Sequence, residues 1–510
     1  MKKLLALVLT LALAASLLVL FVACDEPLPD FVVPEEGYDG SPVTIVFKHS
    51  MGAEYRTILE NHIAEFNKIY PNITVKHESL GGYNDVRNQL KNELKTDNYP
   101  NMAFCYPDHV ALYQQSKKVL ALDSLINSTV TFEREDEEMV TLGLTAQEQA
   151  NFNEAFWEEG RQFADGKMYT LPFAKSTEVL YYNVNVFNQY KAEGLEVPDH
   201  WFPNDGKSGL ESSDHKSMEY ACAFLKDKFG NACTPFGYDS ESNWFITLME
   251  QAGLPYTSAT GNRYRFNTTG AQELMEKLRD WYQKGYFTTG TLYGGGNNST
   301  YTSALFNGSN TQLQSYMCIG SSAGATNQRP NKVEGNYPFE VGITTIPQIN
   351  PSEGFIAISQ GPNICLFNRK NPQEVVATWL FAKYLLTNHA FQFEYTQKGG
   401  YVPPIKSLSD ESLKATDPAV RKYIQNMENA NGYENVSYLS QQLCLGLNAT
   451  GNKYTRFFTS PAFAGSSTAR DQVGELLVAI IKEENSKVPD VKAFIKAKFN
   501  NAINECEYAG

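Results

Sequence analysis

Gly320-Ser321-Ser322-Ala323-Gly324 fits G-x-S-x-G, the pattern in which a serine on a tight strand-to-helix turn attacks an acyl group. That chemistry requires a helix directly after Ser322, then an acid and a histidine later in the chain. The next residues, ATNQRPNKVEGNYP, cannot hold a helix, and the one later histidine, His389, sits in an amphipathic helical pattern. A second enzymatic reading is glycoside hydrolysis by two carboxylates flanking a sugar bond. The acid run EREDEEM (133–139) reads instead as a solvated face. The chain has no P-loop, HExxH or EF-hand pattern and no Cys/His cluster of zinc spacing, so neither a metal nor a cofactor is expected.

A third set of groups is spread along the chain: Lys48-His49-Ser50, Gly82-Tyr83, Tyr106-Pro107-Asp108, Lys175-Ser176-Thr177, Trp244, Gly320-Ser321-Ser322, Gly361, Gly400-Tyr401 and Arg470. Each alone has an ordinary structural role in a turn, a core or a surface. Together they are what a cleft needs to hold a polyol: hydroxyls and backbone N–H groups for hydroxyl partners, and aromatic faces for the apolar side of a sugar ring.

The elements that must position these groups are set by periodicity. VTIVFKHS (43–50) is strand-like, and RTILENHIAEFNKIYP comes after it with Leu59, Ile63, Phe66 and Tyr70 at helical spacing until Pro71. ITVKHESL (73–80) predicts a second strand, YNDVRNQLKNELKTDN a helix with Val86, Leu90 and Leu94 on one face, and NMAFCY a third strand. Strand and helix alternating in this way predict right-handed crossovers and a mainly parallel sheet flanked by helices. Ligands sit beyond the carboxyl ends of such strands, which makes the loops at His49, Gly81 and Tyr106 candidate binding loops. Later strands are predicted at MYTLPFAKSTEVLYYNVNVF, YMCIGS, VGITTIP and ICLF, with helices at VVATWLFAKYLL and QVGELLVAIIKEE. The fold class is α/β, and 510 residues are too many for one core, so at least two lobes are expected.

The first residues, MKKLLALVLTLALAASLLVLFVA, carry two lysines, a long apolar run and a small residue before Cys24, the layout of an export signal. A permanent membrane helix is the alternative. Val22-Ala23-Cys24 resembles the bacterial lipobox, at which Cys24 is acylated and becomes the new N-terminus, leaving residues 24–42 as an acidic, proline-bearing tether. The expected location is the outer face of the cell membrane. A formal net charge of −14 argues against nucleic acid as a partner. Of the eight cysteines, those other than Cys24 read mostly as small buried residues, with Cys222 and Cys233 a pair that could bridge in an oxidising exterior.

In patches from about Val43 to Glu483 the chain resembles the extracellular solute-binding proteins of bacterial ABC importers, family 1, which includes maltose-binding and glycerol-3-phosphate-binding proteins. VTIVFKHSMG and AEFNKIYPNITV resemble the family's first strands and helix, and GKMYTLPFAKSTEVLYYNVNVF is the most specific stretch. MCIGSSAGA, WLFAKYLLTNHAFQFEYTQKGGYVPP and STARDQV come later, in the family's order. The resemblance implies a two-lobe periplasmic-binding-protein-like fold with the ligand between lobes that close by hinge motion. The N-terminal lobe would take residues 43–174 and about 363–415, and the C-terminal lobe 175–360 and about 416–510. It further implies a monomer that delivers a carbohydrate or polyol phosphate to ABC permease subunits and makes or breaks no bond. Implied ligand contacts are Tyr83, Ser176, Ser321 or Ser322, Gly361, Tyr401 and Arg470, and Asp108, Thr177 and Trp244 join them as candidate ligand-binding residues. Asp108 stands one place later than the family's acid, and Trp244 stands where that branch has paired tryptophans. Arg470, with Lys175 or Lys406 near it, could hold a phosphate bidentately, and an arginine equally hydrogen-bonds neutral sugar hydroxyls. The alternative is an extracellular glycoside hydrolase or esterase, and a surface adhesin is a third reading.

Overall fold

The computed structural model describes residues 28–295, 300–447 and 453–509. Cys24 and the segment before it lie outside the described residues. Ten strands build two five-stranded sheets: β1 Val43–His49, β2 Ile73–Ser79, β3 Met102–Cys105, β4 Leu171–Pro172, β5 Glu178–Asn183, β6 Phe236–Tyr238, β7 Phe287–Thr289, β8 Met317–Ser321, β9 Val341–Thr345 and β10 Asn363–Leu366. The first sheet has the order β2-β1-β3-β10-β4 and the second β9-β5-β8-β6-β7.

In the first sheet β1 pairs parallel with β2 and β3, while β10 pairs antiparallel with β3 and β4. In the second, β5 is antiparallel to β8 and β9, and β8-β6-β7 are parallel. One strand per sheet is therefore reversed, and it is the strand by which the chain enters from the other lobe. The parallel strands end at the cleft. A strand that begins at the cleft, as β5 does after Thr177 and β10 after Pro362, must run the other way.

The first sheet is covered on both faces because successive residues of a strand point to opposite sides. Met102 and Phe104 join one apolar cluster with Leu59, Phe66 and the helix Pro372–Thr387. Ala103 and Cys105 join another with Val86, Leu90 and Val110. The helices Ala53–Ile69 and Tyr83–Glu93 form where periodicity places them, burying Leu59 and Phe66, and Val86 and Leu90. The second sheet carries its own, larger core with Trp201, Trp244, Trp281 and Phe499. All seven described cysteines are free buried thiols, Cys222 and Cys233 included. The EREDEEM run is a hairpin tip in which Arg134 pairs with Asp136 and Glu138.

The chain crosses between lobes at Lys175-Ser176-Thr177 and again at Gln360-Gly361-Pro362, and the two passages are bonded to each other. Ser176 and Gln360 exchange backbone hydrogen bonds of 2.9 and 2.8 Å, and Thr177 Oγ1 donates to Ile358 O. Gly361 has φ +89°, and a Cβ there would lie 2.2 Å from Ala174 O, so only glycine lets the strands approach this closely. The return to the second lobe falls one helix later than the expected 416. Val420, Tyr423, Ile424 and Met427 of the helix Pro418–Glu428 pack into the first lobe's core, because their spacing puts all four on one face toward it. The next helix, Val436–Leu445, has a side in each core: Tyr438 joins the first, and Val436, Leu443 and Cys444 the second.

Candidate functional site

The ends of the parallel strands of both sheets face each other across a cavity of about 360 Å³. From the first lobe come Tyr83, Tyr106 and Tyr401. Tyr83 opens its helix after the Gly81-Gly82 turn, whose Gly82 N–H is taken by Asp85 Oδ2 at 2.6 Å. Tyr106 follows β3 directly and stands at the N-cap of the helix Pro107–Tyr113. Tyr401 is carried in by Gly399-Gly400, where a Cβ on Gly400 would lie 1.8 Å from Ser322 O. Tyr83 and Tyr106 have ring centroids 4.9 Å apart, and the Tyr83 and Tyr401 hydroxyls lie 3.4 Å apart. Ser176, Gln360 and Gly361 of the crossings form the floor.

From the second lobe come Glu178 at the start of β5, Asp239 and Ser240 just after β6, Asn243, Tyr301, Ser303, Ser321 and Gln328. Glu178 is buried, and its carboxylate accepts from the Tyr238 hydroxyl and from Asn243 Nδ2. Desolvation dominates these bonds and pushes its pKa up to about 7. Burial also raises Asp239 to about 6, against the pull of two hydrogen bonds from Thr302.

A smaller hollow adjoins the cavity through Tyr106, which lines both. Its walls hold Asp108, Glu159, Tyr256, Ser359 and Arg470. Arg470 Nη1 donates to Asn243 Oδ1 at 3.0 Å, so a chain of bonds runs from Arg470 through Asn243 to Glu178.

Of the residues singled out by sequence, Tyr83, Ser176, Ser321, Gly361 and Tyr401 line the cavity, and Asp108 and Arg470 line the adjoining hollow. Three lie elsewhere. Trp244 is fully buried in the second lobe's core, stacked on Tyr238 at 4.7 Å. One helical step of about 100° separates it from Asn243, which faces the cavity. Thr177 and Ser322 are buried, and Ser322 Oγ accepts the Thr177 N–H at 3.1 Å. Ser322 is succeeded by a 3₁₀ segment, not the helix that a nucleophile elbow needs. Lys175 is spent on Glu159 at 2.9 Å, and Lys406 donates to Ala150 O away from the cleft. His49 is also withdrawn, bonded to His77 at 3.0 Å. Sequence reasoning missed Glu178, Asp239, Asn243, Tyr301, Gln328 and Gln360. Asp239 was findable, because it comes after a strand that ends at the cleft just as Tyr106 does.

Another serine–histidine–acid chain lies outside the cleft. Ser407 Oγ is 2.7 Å from His389 Nε2, and His389 Nδ1 is 2.7 Å from Asp417 Oδ2. Asn151 occupies both the Ser407 hydroxyl and the Ser407 N–H, and Asp417 caps the helix Pro418–Glu428. Those bonds tie four elements together, and they leave the Ser407 amide engaged where an oxyanion hole would need it free.

Across one rim of the cleft, Arg87 Nη1 of the first lobe donates to Ser467 Oγ at 2.5 Å and to Asp471 Oδ2 at 3.1 Å on the second. The pair is half-exposed, so it is worth about 1 kcal/mol. Arg87→Ala is expected to weaken ligand binding up to about fivefold by loosening the closed arrangement. Calorimetric titration of both proteins with the same ligand would show it, and equal affinities would exclude the contact as a latch.

This architecture recurs in solved structures. The chain resembles UgpB from Mycobacterium tuberculosis in complex with glycerophosphocholine (16% identity, 92% of this chain and 98% of that one, TM-score 0.62). It also resembles Lmo0181 from Listeria monocytogenes in complex with cycloalternan (13% identity, 92% and 100%, TM-score 0.61). A third is the cyclic alpha-maltosyl-1,6-maltose binding protein from Arthrobacter globiformis (16% identity, 91% and 99%, TM-score 0.59). At these identities the likeness is one of fold, the two-lobe α/β architecture of periplasmic binding proteins. No curated protein sequence matches the chain. The family profile for bacterial extracellular solute-binding proteins matches residues 61–422, most of the chain, and the protein belongs to that family.

Proposed function

We propose that the protein is the lipid-anchored binding component of an ABC importer, taking a carbohydrate between its lobes and passing it unaltered to the permease subunits. The observation that carries this reading is the composition of the cavity wall: four tyrosines, with serine hydroxyls, Asn and Gln amides and two acids, gathered from both lobes around one space. Such a wall offers ring faces and hydrogen-bond partners in the mixture a sugar presents. Micromolar affinity, about −8 kcal/mol, is within reach of several satisfied hydrogen bonds and ring contacts net of closure costs. The bound state acts on the permease through lobe closure, and acylated Cys24 keeps the protein at the membrane face.

Between sugar and phosphate ester, the walls favour sugar. Among the described residues no lysine or arginine lines the main cavity. Arg470, the one cation of the adjoining hollow among those residues, stands with Asp108, an acid that repels a phosphate, and with Glu159, whose charge Lys175 already balances. Arg470→Ala is accordingly expected to leave saccharide affinity within about threefold. A thermal-shift screen of mono-, di- and oligosaccharides alongside glycerol 3-phosphate tests the reading. A melting shift with sugars and no turnover supports it. Binding of glycerol 3-phosphate alone, lost in Arg470→Ala, would overturn the choice of sugar.

The glycosidase reading has one observation in its favour, two acids with raised pKa values in one cavity. Both oxygens of Glu178 and one of Asp239 are already engaged by the protein. Release of reducing ends from an oligosaccharide by the pure protein would establish hydrolysis.

A further inference from the structure

We propose that the carbohydrate carries a protonated amino group, seated against the free Asp239 oxygen and the tyrosine faces of the cleft. The ligand class is then an amino sugar or an amine-bearing oligosaccharide. This rests on the carbohydrate reading above and narrows it.

Charges in the cavity wall do not balance. Among the described residues the charged groups lining it are Glu178 and Asp239, both acids, and the nearby Arg470 is drawn off to Asn243. Asp239 Oδ1 is satisfied twice by Thr302, through its N–H and its Oγ, each at 2.7 Å. Asp239 Oδ2 accepts no hydrogen bond among the described residues. It lies over the backbone of Gly320, where a Cβ would stand 2.6 Å away, so the missing side chain is what makes room for the carboxylate.

Gln328 supplies a second, independent sign of the same imbalance. It lines the same cavity and is 2% exposed, and its Oε1 has no partner among the described residues. Its Nε2 is 3.5 Å from that same Cβ position, so the amide and the carboxylate flank one glycine. A buried Gln328 oxygen and an Asp239 oxygen, neither with a partner among the described residues, are an unsatisfied arrangement in a partly desolvated site. A hydroxyl would bring one donor and no charge. An ammonium brings three donors and the missing counter-charge.

The remaining walls suit a cation. Tyr83, Tyr106, Tyr401 and Tyr301 ring the space, and the faces of tyrosines attract positive charge when water is excluded. The upward displacement of both carboxyl pKa values is what burial without a counter-ion produces, and a bound ammonium would relieve it.

The test compares glucosamine and β-1,4-linked glucosamine di- and trisaccharides with their N-acetylated forms and with malto-oligosaccharides of the same length, by calorimetric titration at neutral pH. Acetylation removes the charge and keeps the ring. The amine series is expected to bind roughly tenfold or more tightly than the acetylated series. Asp239→Asn should cut amine affinity about tenfold more than it cuts neutral-sugar affinity. The wild-type comparison needs no variant to fold. Equal affinity for amine and acetylated sugars, or an unchanged amine preference in Asp239→Asn, overturns the inference and leaves carbohydrate binding standing. If no saccharide of any series binds or raises the melting temperature, both readings fall together.

Discussion

Replacing Lys175 with methionine is expected to lower the stability of the protein by about 3–5 kcal/mol, because it strands a buried carboxylate without its counter-charge. Lys175 and Glu159 have side chains 0% and 2% exposed, and the ammonium lies 2.9 Å from Glu159 Oε2. Lys175 also donates to Asn363 Oδ1 at 3.1 Å and Gly361 O at 3.4 Å, while Glu159 accepts from Ser359 Oγ at 2.9 Å. One ion pair thus binds both crossings to the first lobe. Pairing Lys175→Met with Glu159→Gln removes both charges and should recover much of the loss, since the dominant cost in the single variant is the orphaned charge. Thermal melts of the two single variants and the double show it. A double variant whose loss equals the sum of the singles would mean the two groups do not act as a pair.

The second large effect is one of pH. Glu178 titrates at about 7 in the folded protein against 4.5 in an exposed carboxyl, with burial the main cause. Between those values the folded state keeps a proton that the unfolded chain has lost. Stability from this group is therefore complete below about pH 4.5 and is lost as pH rises through about 7, a difference on the order of 3 kcal/mol. Glu178→Gln carries no such charge, so it should be more stable than the natural protein at pH 8, by on the order of 2 kcal/mol after allowance for an altered hydrogen bond. At about pH 4.5 the two should nearly coincide. Denaturant unfolding across that range measures it, and parallel curves would show that Glu178 does not ionise in this window.

Much of the fold was legible because its signals are local. Leu59 and Phe66, or Val86 and Leu90, lie on one helical face whatever surrounds them, and β1 to β3 alternate with those helices in a way that leaves few arrangements. The reversal of β5 and β10 was not legible, since direction within a sheet depends on where the preceding residue sits in space. The helix Pro418–Glu428 shows its apolar face in sequence, but nothing local says which of two cores receives it. The cleft divides in the same way. Tyr83 and Tyr401 are flanked by glycines, and Ser176 and Ser321 stand at strand ends, so composition drew attention to them. Glu178 opens a strand that continues Val-Leu-Tyr-Tyr-Asn, where a lone acid reads as an edge and not as a wall. Trp244 and Asn243 are neighbours in sequence, and only the turn of the helix decides which one meets the cleft.

The helix Val436–Leu445 shapes how the molecule can move. Ser440 Oγ donates to Ser322 O on one side, and on the other Gln441 donates to Thr396 O and accepts from the Tyr423 hydroxyl. A plain linker would let the halves swing through every intermediate posture. A packed cylinder gripped from both sides must instead slip from one set of interlocking side chains to another, and close-packed surfaces favour a few discrete seatings. On the importer role proposed above, a permease would then meet something like a ratchet with two teeth: a receptor that is shut or agape, with little in between to trigger a wasted cycle.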